Sequence, residues 1–96
     1  MTASKPSLPD ALRRIRKARG LSQEAFSDVS SRTYLSSLER GLKSPTLNKL
    51  EELCEVLEVH PITLLALAYA GDSSRKINQI LEQARQELDG IIDGGK

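Results

Sequence analysis

On a helix of residues 32–40, an advance of about 100° per residue sends Leu35 and Leu38 to one side and Thr33, Ser36, Ser37 and Arg40 to the other. The outward set is three short hydroxyls and a guanidinium, groups that hydrogen-bond at close range. Base edges in a DNA major groove offer donors, acceptors and thymine methyls, and a face free of bulky apolar groups can approach them. A plain solvated helix shows the same pattern, so this face alone leaves both readings open.

Other chemistry is scarce. One histidine, one cysteine and no glycine-rich phosphate loop after a strand leave no catalytic set, so an enzyme is not expected, nor is a metal or cofactor. A lone Cys54 excludes an internal disulfide and a cysteine-built zinc site, and it suits a reducing compartment, by default the cytoplasm. It falls on an apolar helical stripe and reads as a buried structural thiol. His60 precedes Pro61 and reads as a helix-entry residue.

The elements that position the polar face follow from periodicity. Leu8, Ala11, Leu12 and Ile15 form one stripe of a first helix over about 8–18, closed by Gly20 after a basic last turn. Ser22 is expected to cap a short second helix running to about Asp28, with Ala25, Phe26 and Val29 inward. Ser30 and Ser31 interrupt the pattern and can cap the helix of residues 32–40, which Gly41 closes. Thr46 is placed as the cap of a fourth helix with the stripe Leu47, Leu50, Leu53, Cys54 and Leu57. Pro61 opens a fifth, the most apolar, suited to central packing. Gly71 to Ser74 breaks the chain. A sixth helix, about Arg75 to Ile92, carries Ile77, Leu81, Ala84, Leu88 and Ile91 at alternating spacings of four and three, a short heptad seam that needs a partner.

Composition agrees with packed helices: hydrophobic residues make up 39% but aromatics only 3%, so the core must be aliphatic. The expected class is all-α, in one domain. The net charge of +1 hides a segregation. Residues 1–20 hold Lys5, Arg13, Arg14, Arg16, Lys17 and Arg19 against Asp10, whereas residues 46–70 hold Lys49 against Glu51, Glu52, Glu55 and Glu58. Such a polarised molecule can turn a basic face to phosphate. Met1 to Pro9 is polar, and no stretch approaches membrane length, so neither export nor a membrane is expected.

Several motifs in fixed order carry a resemblance. Leu12-Arg13-Arg14-Ile15-Arg16-Lys17, Gly20-Leu21-Ser22-Gln23-Glu24, Arg32-Thr33-Tyr34-Leu35-Ser36, Leu38-Glu39-Arg40-Gly41 and Pro45-Thr46-Leu47, then Leu50 and Leu53, resemble the Cro and phage-repressor (XRE) helix-turn-helix family over roughly residues 8–68. The resemblance implies a five-helix DNA-binding domain over 8–70, preceded by a flexible N-terminus (1–7) and followed by an oligomerisation helix and tail (71–96). It further implies that the second helix crosses the DNA backbone and the third enters the major groove. Arg32, Thr33, Ser36 and Ser37 would then read bases, while Ser22, Gln23, Ser31, Tyr34, Arg40, Lys43 and Ser44 would contact phosphates. Gln23 would also brace the start of the recognition helix. Arg16 and Glu39 match a structural ion pair, leaving Arg13, Arg14 and Lys17 to long-range attraction.

Two departures stand out. Between Glu24 and Arg32 the chain is about two residues shorter than the family pattern and lacks its turn glycine, so Ser30 and Ser31 must turn more tightly and the recognition helix is angled differently. Glu58 stands where glycine is common, so that helix is expected to end without a left-handed cap. The function implied is a transcriptional regulator binding a palindromic operator in double-stranded DNA as a dimer or tetramer, through a seam of Ile77, Leu81, Ala84, Leu88 and Ile91. The alternative is a DNA-binding antitoxin or interaction module whose last helix binds another protein. With only residues 71–96 beyond the domain, no small-molecule ligand is expected.

Overall fold

In the computed structural model, which describes residues 7–94, the order of elements is α1 (Leu8–Ala18), a single-turn 3-10 helix (Gln23–Phe26), α2 (Arg32–Glu39), α3 (Leu47–Leu57), α4 (Pro61–Ala70) and α5 (Ser74–Gly94). No strand occurs among the described residues. The flexible terminus expected over 1–7 lies, apart from Ser7, outside them, as do Gly95 and Lys96.

Each α-helix starts where a side chain satisfies a free amide. Ser31 Oγ accepts from the Tyr34 amide at 3.0 Å, Thr46 Oγ1 from Lys49 at 3.1 Å, and Ser73 Oγ from Lys76 at 3.2 Å. His60 Nδ1 accepts from Ile62 at 3.0 Å, so the lone histidine is a helix cap. α1 and α2 end alike: the amides of Leu21 and Leu42 reach back to Arg16 and Ser37, and Gly20 and Gly41 take positive φ of 72° and 75°. The core is the aliphatic one expected, with Leu12, Leu35, Leu38, Leu53, Leu57 and Leu64 around Phe26, and Cys54 is buried beside them. α4 is the hub, packed on α1, α3 and α5 and meeting α3 at 99°. No single helix among the described residues is long and apolar enough to cross a membrane.

The expected second helix is a single 3-10 turn instead. Ala25, Ser27 and Val29 donate to Ser22, Glu24 and Phe26, three residues back, and the Ser22 hydroxyl caps nothing. A 3-10 turn rises about 2.0 Å per residue against 1.5 Å in an α-helix. The turn thus covers more length per residue than an α-helix would, and it keeps Phe26 fully buried. Ala25, expected inward, is exposed, and so is Leu47, at 67%.

The expectation for Glu58 is also overturned. It takes the left-handed conformation, φ 59° and ψ 42°, and α3 closes with the same motif as α1 and α2. Arg19 explains how: its Nε donates to the Leu57 carbonyl and its Nη2 to that of Glu58, both at 3.0 Å, holding the backbone there without glycine.

Candidate nucleic-acid interface

Leu35 and Leu38, essentially unexposed, fix α2 to the core by one side and so decide what its other side shows. Arg32 and Thr33 are exposed on the first turn, Ser36 and Ser37 are half-buried on the next, and Arg40 is exposed at the end. Of the other candidates, Ser22, Ser31, Lys43 and Ser44 are exposed, and Gln23 and Tyr34 are half-buried. The Lys43 ammonium lies 5.6 Å from the centre of the Tyr34 ring, a cation–π distance that brings these two candidate phosphate contacts together. The α2 N-terminus adds the positive end of a helix dipole beside Arg32.

The orientation of α2 is held from its far end. Arg16 on α1 grips the Glu39 carboxylate with Nε to Oε2 at 2.6 Å and Nη2 to Oε1 at 2.9 Å. Its Nη1 donates to the Leu21 carbonyl at 2.9 Å, and Gln23 Nε2 donates to Glu39 Oε1 at 3.2 Å. Glu39 is 4% exposed and the Arg16 side chain 11%, so both charges are desolvated and fully partnered. The hydrogen bond to Glu39, joined by the attraction of that carboxylate, raises the guanidinium pKa above its ordinary value against the opposing pull of burial. One carboxylate thus ties α1, the 3-10 turn and α2 together. Gln23 therefore braces the end of α2, not its start.

Three cations do more than their sequence positions suggest. Arg13 is not limited to long-range attraction: its Nη2 donates to the Glu39 carbonyl at 3.1 Å and pairs with Asp10 at 3.2 Å. Arg14 pairs with Asp72 at 3.4 Å. Lys49 is no candidate by sequence, yet its ammonium donates to the Val29 carbonyl in the turn before α2 while pairing with Glu52 at 2.9 Å. A lysine in the first turn of an amphipathic helix looks like any solvated lysine, so the sequence holds no signal for it.

The seam residues are unevenly placed. Ile77 is half-buried and Leu81 44% exposed, both lining an open groove with α1 and α4, whereas Ala84, Leu88 and Ile91 are exposed. Among the described residues, no cluster of three or more His, Cys, Asp or Glu is arranged to hold a metal ion.

Comparison with known proteins agrees with this geometry. Residues 12–64 match the model of a family described as helix-turn-helix. The chain is 44% identical over 54 residues to an uncharacterized HTH-type transcriptional regulator, y4dJ, of Sinorhizobium fredii, covering 54% of this chain and 70% of the relative. It is 35% identical over 68 residues to the control protein C.BamHI of Bacillus amyloliquefaciens, covering 68% and 84%. No solved structure matches.

Proposed function

Because this chain belongs to the Cro and phage-repressor (XRE) family of helix-turn-helix, DNA-binding transcriptional regulators, a class that is in general non-enzymatic, we propose that it binds a palindromic operator in double-stranded DNA as a homodimer. Residues 8–70 are the DNA-binding unit, and α5 with the tail to residue 96 serves assembly. α2 lies in the major groove, where Arg32, Thr33, Ser36 and Ser37 read base edges. Ser22, Gln23, Ser31, Tyr34, Arg40, Lys43 and Ser44 hold the phosphates that flank them. The cytoplasm is the place of action.

The observation that carries this reading is the polar face of α2 held outward on a helix whose opposite end is locked by Arg16, Glu39 and Gln23. A base-reading face is useful only if its angle is fixed, because a hydrogen bond to a base edge tolerates little displacement. The test is a gel shift on an operator selected from a random library, repeated across a salt series. With Arg40 and Lys43 of each copy neutralising phosphates, affinity should fall by about two orders of magnitude between about 50 and 200 mM salt, and the selected site should be two-fold symmetric. A flat response, or no selected sequence, overturns the reading.

A further inference from the structure

Among the described residues, no other element covers the second half of α5. The helix runs for 21 residues, about 32 Å, yet every residue from Leu81 to Gly94 is exposed, including Leu88 (52%), Ile91 (68%) and Ile92 (69%). A short helical segment of this kind is marginal in water unless something covers its apolar side. The uncovered stripe also continues into the molecule. Ile77 and Leu81 form one wall of a groove of about 400 Å³ whose other walls are Ile15 and Ala18 of α1 and Ile62 and Ala66 of α4.

The charges beside the stripe say what covers it. At about 100° per residue, Lys76 and Glu87 fall on the same flank of the stripe, about three turns apart, with Gln83 Nε2 donating to Glu87 Oε2 at 3.0 Å between them. We propose that α5 pairs antiparallel with α5 of a second copy. Lys76 of each chain meets Glu87 of the other, and the partner's Leu88 and Ala84 cover Ile77 and Leu81 to close the groove. A two-fold axis requires one surface to contain both halves of its own complement, and this flank does so in opposite order along the helix. Parallel pairing would instead turn the two copies of this flank to opposite sides of the seam, where Lys76 and Glu87 of different chains cannot meet. This inference rests on the dimeric reading above and gives it an orientation.

The test uses the full chain and residues that are exposed, so that the fold is not disturbed. Lys76→Glu and Glu87→Lys should each weaken dimerisation on the order of tenfold in sedimentation, since each breaks two symmetry-related pairs and creates repulsion. Combining them in one chain should restore the wild-type dimer. In a second arm, Lys76→Cys mixed with Glu87→Cys should cross-link through a short thiol reagent, while Lys76→Cys alone should not. A monomeric wild type, a combined variant no tighter than either single one, or cross-linking of Lys76→Cys to itself overturns the pairing. Gel shifts on the wild type keep the two readings apart. If the DNA reading fails, the dimer remains without salt-sensitive binding; if the pairing fails, salt-sensitive binding remains.

Discussion

The guanidinium of Arg16 and the carboxylate of Glu39 meet in two parallel hydrogen bonds, at 2.6 and 2.9 Å, and so join the first helix to the end of α2. Removing one partner leaves the other desolvated and alone. Glu39→Ala should therefore cost about 3 kcal/mol or more in urea unfolding. Arg16→Lys keeps the charge but cannot form the fork and also reach Leu21, so a loss of about 1–2 kcal/mol is expected. A folded pKa raised above the unfolded value means stability fully present below the ordinary arginine pKa and lost only as pH rises through the folded one. Mild alkali should thus leave this lock intact, which urea midpoints of wild type and Arg16→Lys across alkaline pH would check.

The base-reading role proposed for Arg32 and the phosphate-holding role proposed for Lys43 should separate by their dependence on sequence. Arg32→Ala should cost about 1–3 kcal/mol on the selected operator and relax preference at one base pair of each half-site. Lys43→Ala should weaken binding to all sequences alike and lower the salt slope by about one for each phosphate it no longer neutralises. Titrations of both variants against matched and mutated operators decide between the roles.

Much of this arrangement is legible in the residues themselves. The helices announce themselves through caps at Ser31 and Thr46, glycines at 20 and 41, and apolar stripes such as Leu50, Leu53 and Leu57, because these are local properties of the backbone. Partners far apart in sequence leave no such mark. That Lys49 would steady Val29, and that Arg19 would hold Glu58 left-handed, depends on how α3 lies against the 3-10 turn and α1. The second helix departs from expectation for a related reason. Ser-Gln-Glu-Ala-Phe has the residue types of an α-helical start, but the Ser22 hydroxyl makes no cap bond and the segment winds as a 3-10 turn around its buried Phe26.

Glu58 bears a left-handed backbone that suits glycine better. Glu58→Gly should stabilise the protein by up to about 1 kcal/mol, and Arg19→Ala should destabilise it by about 1–2 kcal/mol by leaving two carbonyls without their donor. In the double variant the Arg19 penalty should shrink, since glycine needs less help to hold that conformation. Thermal melts of the four proteins measure this coupling.

Burial pushes the Cys54 thiol pKa up. A raised folded pKa means the contribution is complete below the unfolded thiol value and is lost as pH rises through the folded one, so stability should decline on the alkaline side. Cys54→Ala removes that titration at the cost of a small cavity, and its melting temperature should fall less steeply with alkaline pH than that of the wild type. Native Cys54 should also react slowly with thiol reagents until the protein is unfolded.

Phe26, the chain's single phenylalanine, sits in its shortest element with no exposed surface. The polar turn that leads into α2 is thereby nailed to the middle of the core. Such a turn cannot fray by itself, because releasing it withdraws the largest side chain from the interior. Its hydrogen-bonded amides, those of Ala25, Ser27, Val29 and Ser30, should consequently exchange hydrogen only when the whole domain opens, and the polar face of α2 should melt in one cooperative step with the protein beneath it.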